Sequence, residues 1–221
     1  MSFLEPWILL GIAAGIFQAL RVAGQKALAQ QTTSDVQLSS WSAALARCLF
    51  GLPWAVLILV VLIWLWGAPT KLSLTFWLWT AASAVLQVIA TVQQTILLNK
   101  RNLAIGVVYV KTEVIIVALI GSTPFFAQYL SGLQWMAIVV SVIGVVVITR
   151  AKLGDQAGSV WDWRSAWLGL SGGAFLAGTS LTLREGGLTL VRDAAEAGVT
   201  LSPAVAGMTT LIGLVLVQCV M

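Results

Sequence analysis

Residues 114–149 read VIIVALIGSTPFFAQYLSGLQWMAIVVSVIGVVVIT and contain no Asp, Glu, Lys or Arg. A helix needs about 20 apolar residues to cross the hydrocarbon core of a bilayer, so this stretch is too long for a single membrane helix. Gly and Pro break helices, and the segment GSTP at 121–124 is where we expect the chain to turn. The stretch therefore predicts two consecutive membrane spans.

The rest of the chain follows the same pattern, with further uncharged runs at 48–70, 72–99, 165–183 and 197–221. Only 9% of the residues are charged and 59% are hydrophobic, and the mean hydropathy is +0.97. Because an average soluble domain has about 25% charged residues, we predict an all-α polytopic membrane protein in a plasma or bacterial inner membrane. The seven transmembrane helices are predicted at about 6–29, 41–66, 72–98, 103–122, 132–150, 165–185 and 202–221.

The composition also excludes several kinds of chemistry. The chain has no His, and its two cysteines, Cys48 and Cys219, both lie in apolar runs. These facts exclude a metal cluster, a disulfide framework and a histidine-activated nucleophile, and no nucleotide-binding loop or metalloprotease motif occurs. We expect no enzymatic activity, no cofactor and no metal. The net charge of +4 is scattered at span edges, which argues against a nucleic-acid partner.

Two segments of the chain resemble each other and indicate an internal repeat. Residues 7–28 align with residues 165–186, and a GxxxG spacing recurs at Gly11 and Gly15 and at Gly169 and Gly173. A second copy that starts near residue 165 implies a unit of five spans, and two such units have opposite orientations in a membrane. By this arithmetic the second unit lacks about three spans, so we expect the chain to be truncated. Chance similarity between two helices rich in small residues is the alternative.

The chain resembles members of the drug/metabolite transporter superfamily, in particular its EamA-type branch, whose members have ten spans. The similar segments are AALAR (43–47), NLAIG (102–106), KTEVIIVALIG (111–121) and LSGLQW (130–135). The chain departs from the family at 126–128, where FAQ stands in place of the Gly-Glu of many members. The resemblance implies a first EamA-like repeat at 6–150, a polar linker at 151–164 and an incomplete second repeat at 165–221. It also implies export or import of small metabolites.

Polar side chains recur at helical spacing in three of the predicted spans, and the stripe of the third span consists of Ser83, Gln87, Thr91 and Gln94. Such stripes lie along one face of a helix, and three of them suggest a hydrated central cavity. Interhelical hydrogen bonding is the alternative interpretation of the stripe in the third span. The candidate substrate-binding residues of the cavity are Gln18, Arg21, Gln87, Thr91, Gln94 and Tyr109.

Glu113 is the candidate coupling residue. It lies in the middle of the fourth predicted span, where an unpaired carboxylate would take up a proton or require a cation. Lys111 is two residues away and points to another face of the helix. We therefore expect the cationic partner of Glu113 to come from another span, as Arg47 or Arg21.

The sequence thus predicts a secondary transporter of small metabolites that works by alternating access, with a proton gradient as a candidate driving force. A non-transporting integral membrane protein or a degenerate transporter fragment is the first alternative. A membrane-embedded lipid-processing enzyme is the second alternative. The expected partners are a small-molecule substrate and the lipid bilayer, and both a monomer and a homodimer remain open.

Overall fold

The computed structural model describes residues 9, 11–20, 24, 40–100, 113–126, 129–153 and 163–221. The chain divides into two compact units, Met1–Ser39 and Ser40–Met221. The first unit contains helix α1, Gly11–Leu20, most of whose residues are exposed. The remaining helices belong to the second unit.

The described residues of both units form helices, turns and loops, and no strand occurs among them. The all-α prediction is therefore confirmed. The ends of α2, α5 and α7 agree with the predicted spans to within about three residues. The helices of the second unit are α2 (Ser40–Trp66), α3 (Leu74–Lys100), α4 (113–121), α5 (Gly132–Leu153), α6 (Trp163–Glu196) and α7 (Pro203–Val220).

The turn predicted at 121–124 is present and separates α4 from α5. The Ser122 hydroxyl donates to the Ala118 carbonyl oxygen over 2.6 Å, so it satisfies a carbonyl group at the end of α4. At the start of α5, the Ser131 N–H donates to Oε1 of Gln134 over 2.8 Å, and the Gln134 N–H donates to Ser131 Oγ over 3.4 Å. This reciprocal pair is a capping box, which stabilises the first turn of a helix.

Glycine ends two of the helices. Gly67 follows α2 with φ +84°, and Gly198 follows α6 with φ +73°, a left-handed conformation that glycine adopts without strain. After α6, the Val199 N–H donates to the Ala194 carbonyl oxygen over 2.9 Å, as in the Schellman motif. Pro203 then begins α7, where its missing N–H costs nothing.

Helix α6 is longer than the sequence predicted. The predicted span at 165–185 covers little more than half of the 34 residues of α6. Hydropathy falls at Arg184, but Arg, Glu and Leu are good helix formers and the helix continues through them. Gly186 and Gly187 lie inside α6. They are packing residues, since a Cβ added at Gly186 would lie 2.9 Å from Cγ2 of Thr210 in α7.

The most extensive helix interface is between α3 and α6. The two helices are antiparallel, because Ser83 lies opposite Thr182 while Leu86 lies opposite Gly178. The Ser83 and Thr182 hydroxyl oxygens are 2.7 Å apart and form a hydrogen bond. A Cβ added at Gly178 would lie 3.1 Å from Cδ1 of Leu86, so small residues allow this close approach.

Helices α2 and α7 complete the core of the second unit. Phe76 of α3, Leu190 of α6 and Val205 of α7 are almost fully buried and belong to one apolar cluster. Leu59 and Leu62 of α2 pack against this cluster. Among the described residues, α5 forms no interface of similar extent.

Two of the described helices are long and apolar enough to cross a membrane, by length and composition alone. These segments are Leu74–Leu97 of α3, with 24 residues, and Pro203–Val220 of α7, with 18 residues. Shorter apolar helical segments lie at Gly11–Leu20, Gly51–Trp66 and Gly132–Gly144. The two long helices are a weak indication of membrane association, because core helices of soluble proteins can have the same length and composition.

Candidate functional site

Glu113 and Ser180 join two helices that are distant in the sequence. Glu113 is the first described residue of α4, and Ser180 lies in the middle of α6. The Ser180 hydroxyl donates a hydrogen bond to Oε1 of Glu113 over 3.2 Å. The bond holds the partly buried carboxylate against α6. The candidate coupling residue thus contacts the helix that begins the second predicted repeat.

A cluster of charges begins on α6 one turn after Ser180. Nη1 of Arg184 lies 3.1 Å from Oε1 of Glu185, and Nη2 of Arg192 lies 3.1 Å from Oε2 of the same residue. The Glu185 side chain is 12% exposed, whereas those of Arg184 and Arg192 are 43% and 64% exposed. Two guanidinium groups therefore share one carboxylate that is mostly buried.

The pairing of residues between α6 and its neighbouring helices shows how far along those helices Ser180 and Arg184 lie. Because Thr182 lies opposite Ser83 and Gly178 lies opposite Leu86, Ser180 is level with the middle of the apolar segment Leu74–Leu97. At a rise of 1.5 Å per residue, the middle is about 17 Å from either end.

The register against α7 gives the position of Arg184. Gly186 and Gly187 both face Thr210, so Arg184 lies level with residue 212 or so, about 12 Å from either end of Pro203–Val220. Ser180 is therefore level with the middle of Leu74–Leu97 and Arg184 with the middle of Pro203–Val220. The two residues are one helical turn apart on α6.

A groove of about 340 Å³ lies between α6 and the first turns of α7. Ser180 and Arg184 are the lining residues with polar side chains, but the lining surface itself is almost wholly apolar. Gly187 of α6 and Gly207 of α7 have no side chains and leave the space open. The apolar walls of the groove are formed by Leu183, Leu188, Val191, Pro203 and Ala206.

The polar stripe predicted on the third span lies along α3. Thr91 is buried, and its hydroxyl donates to the Gln87 carbonyl oxygen over 2.7 Å, within the same helix. Gln87 and Gln94 are partly buried. Ser83, in the same stripe, forms an interhelical hydrogen bond to α6, as the alternative interpretation expected. The role of Gln87, Thr91 and Gln94 as cavity residues stays a prediction.

The other predicted site residues are distributed as follows. Gln18 is exposed on α1 in the first unit. Arg21 and Tyr109 lie outside the described residues, and Arg47 lies in α2 with its side chain outside the described part. Pairing of Glu113 with one of the two arginines therefore stays a prediction.

Ser180, Arg184 and Glu185 were missed by sequence reasoning. The hydropathy pattern predicted Arg184 at the end of the sixth span, and cations are common at the ends of membrane spans. The spacing of Ser180 and Arg184 by four residues, which places both on one helix face, was the available signal. Their mid-height position depends on the register with α3 and α7, and no local pattern encodes it.

No protein-family model, curated protein or solved structure matches this chain. The resemblance to EamA-type transporters therefore rests on the sequence segments at 43–47, 102–106, 111–121 and 130–135.

Proposed function

We propose that this chain is a polytopic membrane protein that acts as a secondary transporter of small metabolites by alternating access. The observation that carries the proposal is the hydrogen bond of Ser180 to the Glu113 carboxylate, at mid-height of a helix of membrane-spanning length. Ionisable groups at that depth of a bilayer are costly, and in membrane proteins they mark ion and substrate pathways.

The membrane location is supported by the apolar outer surface of the second unit. Trp54 and Trp64 of α2 are 69% and 84% exposed. Soluble monomers rarely expose large contiguous apolar patches, whereas a lipid-facing surface requires them. Among the α5 residues whose burial is described, the exposed large apolar side chains are Leu133, Met136, Val139, Val140, Ile143 and Val147.

The transport activity is supported by the helices that meet at the candidate site. Glu113 belongs to the first predicted repeat and Ser180 to the second. Inverted-repeat transporters bind substrate and coupling ions near the midplane, where the repeats meet, and rocking of one repeat against the other alternates access. A carboxylate that is held across such a boundary can lose its contact to the other repeat as the repeats move. Its proton affinity would then differ between the two states, which is the requirement for proton coupling.

The experiment is a flux measurement on the purified protein in sealed lipid vesicles, with a mixed metabolite pool and an imposed pH gradient. We expect gradient-driven movement of at least one solute, and we expect Glu113→Gln to abolish its dependence on the gradient. Glu196→Gln is the matched control, since it makes the same chemical change at an exposed carboxylate at the end of α6. This control is expected to transport like the unmodified protein.

Two results would count against the proposal. Absence of any gradient-driven flux from folded protein would refute transport and favour the non-transporting membrane protein. Equal flux in Glu113→Gln and in the unmodified protein would leave transport intact and remove Glu113 from the coupling mechanism. Circular dichroism and a monodisperse elution profile verify the fold of each variant.

A further inference from the structure

Helices α3 and α7 begin at the same level, at one end of the second unit. A Cβ added at Gly186 of α6 would lie 3.7 Å from Oγ1 of Thr80 and 2.9 Å from Cγ2 of Thr210. Helix α3 begins at Leu74, before Thr80, and α7 begins at Pro203, before Thr210. At a rise of 1.5 Å per residue, both helices begin about 9–10 Å from the level of Gly186.

The end of α2 and the turn between α4 and α5 lie at the same end of the unit. Leu62, near the end of α2, packs against the apolar cluster that contains Phe76 of α3 and Val205 of α7. The ring centroid of Phe125, in the turn after α4, lies 6.3 Å from that of Trp79 in α3. The turns α2–α3, α4–α5 and α6–α7 therefore form one end of the second unit, which we call the turn end.

The turn end carries a group of exposed aromatic side chains. They come from the last turn of α2, the first turn of α3 and the connection between α4 and α5, and they are Trp64, Trp66, Trp77, Phe125 and Tyr129. Trp and Tyr combine an apolar ring with a polar N–H or O–H, and both are enriched where a membrane meets water. The group has the composition of an aromatic belt.

The chemistry of the exposed side chains changes in a fixed order toward the turn end. Leu57, Ile58 and Val61 of α2 are exposed, and Trp64 follows them one turn later. Glu196, at the end of α6, is about 15 Å from the level of Gly186 and so lies about 5 Å beyond the starts of α3 and α7. A bilayer changes in the same order, from hydrocarbon through the interface to water.

The charges of the turn end select the kind of lipid. The ionisable residues in the α2–α3 turn and in the last turns of α6 are two cations and two anions, Lys71, Arg192, Asp193 and Glu196. Their formal charges cancel, whereas attraction to an anionic leaflet requires a cluster of Lys and Arg. The turn end therefore matches the headgroups of zwitterionic lipids.

We propose that the turn end binds the headgroup region of a bilayer of zwitterionic phospholipids through its exposed aromatic rings. The level of Leu74 and Pro203 then marks the edge of the hydrocarbon core. The inference rests on the membrane location in the proposed function, but it is independent of transport.

Trp54 and Trp64 form a matched pair for the test. Both are exposed on α2, and Trp54 lies about 15 Å before Trp64 along the helix. Since the hydrocarbon core is about 30 Å thick, a position of Trp64 at its edge puts Trp54 near its centre. The two indoles should therefore differ in depth although they share one helix.

The experiment is fluorescence quenching of the full chain in phosphatidylcholine vesicles. The lipids carry bromine either close to the glycerol ester or close to the end of the acyl chain, and bromine quenches tryptophan on contact. The difference between the unmodified protein and a Trp→Phe variant isolates one indole. We expect the fluorescence lost in Trp64→Phe to be quenched best by the bromine near the ester, and that lost in Trp54→Phe by the bromine near the chain end. Circular dichroism verifies the fold of both variants.

Three results would overturn the inference in protein that has entered the vesicles. The same quenching order for both indoles would show that α2 does not run from the interface toward the centre. A Trp64 contribution that neither bromine quenches would show that protein, such as a second copy of the chain, covers the ring. A Trp64 depth that shifts when phosphatidylglycerol replaces part of the phosphatidylcholine would identify an anionic lipid as the partner.

The outcomes separate this inference from the proposed function. Protein that stays outside the vesicles would refute the membrane location and with it both proposals. Opposite quenching orders for the two indoles, without gradient-driven flux, would support the interface at the turn end and refute the transporter alone.

Discussion

The tight packing of α6 against α7 at Gly186 leads to a sharp prediction. A Cβ added at this position would lie 2.9 Å from Cγ2 of Thr210, a distance at which the Thr210 methyl group must move. Thr210 cannot rotate freely, because its hydroxyl donates to the Ala206 carbonyl oxygen over 2.7 Å and its side chain is fully buried. We therefore expect Gly186→Ala to force α6 and α7 apart or to break that hydrogen bond.

The expected change in the free energy of unfolding of Gly186→Ala follows from two opposing effects. Overpacking a tight interface costs about 1–3 kcal/mol, while replacing Gly by Ala inside a helix contributes about 1 kcal/mol of stability. The matched control is Gly187→Ala, since the added Cβ would lie 3.6 Å from Oγ1 of Thr210, an ordinary contact distance. Gly187→Ala gains the same helix propensity but creates no steric clash with Thr210. The two variants should therefore differ by about 1–3 kcal/mol in their free energies of unfolding.

The assay is chemical unfolding in mild detergent, followed by tryptophan fluorescence, for both variants and for a double mutant. Thr210→Ser removes the Cγ2 methyl group and keeps the hydroxyl, so Gly186→Ala combined with Thr210→Ser should recover most of the loss. Equal stabilities of Gly186→Ala and Gly187→Ala would refute the close approach of α6 to α7. Failure of Thr210→Ser to rescue would show that another atom opposes the new methyl group.

Three further predictions concern stability. Ser83→Ala removes two hydrogen bonds between α3 and α6, to the Thr179 carbonyl oxygen and to the Thr182 hydroxyl, and should cost about 0.6–1.7 kcal/mol per bond. Thr95→Val loses only a bond within α3 and should cost less in the same unfolding assay. Gly198→Ala introduces a side chain at φ +73° and should cost about 1–2 kcal/mol; an unchanged midpoint would contradict this. Ser131→Ala removes the capping box of α5 and should cost about 1 kcal/mol, detected as faster hydrogen exchange in the first turn of α5.

The helix limits were predictable because their causes are local. The ends of α2 and α4 follow from Gly67 and from the segment at 121–124, and the start of α5 follows from the Ser131 and Gln134 pair. Each of these signals acts within about four residues through backbone conformation or a capping hydrogen bond. The end of α6 at Glu196, before Gly198, has an equally local cause, but the drop in hydropathy at Arg184 obscured it.

The candidate site was predictable in part. Glu113 was selected from the sequence because a carboxylate in the middle of an apolar run needs an explanation. Its contact with Ser180 could not be predicted, since the two residues are 67 positions apart and meet only when α4 and α6 pack together. The polar stripe of Ser83, Gln87 and Thr91 was visible as a pattern, but only the structure shows that Ser83 bonds to α6.

The sequence by itself determined that this chain is helical and where most of its helices begin and end, because uncharged runs, glycines and caps act locally. The tertiary structure decided that α6 continues past Arg184, that Ser180 is level with the middle of α3 and that Arg184 is level with the middle of α7. The physical reason is that height depends on the antiparallel register of α6 with α3 and α7. That register is determined by contacts of Gly178 and Gly186 with residues of other helices.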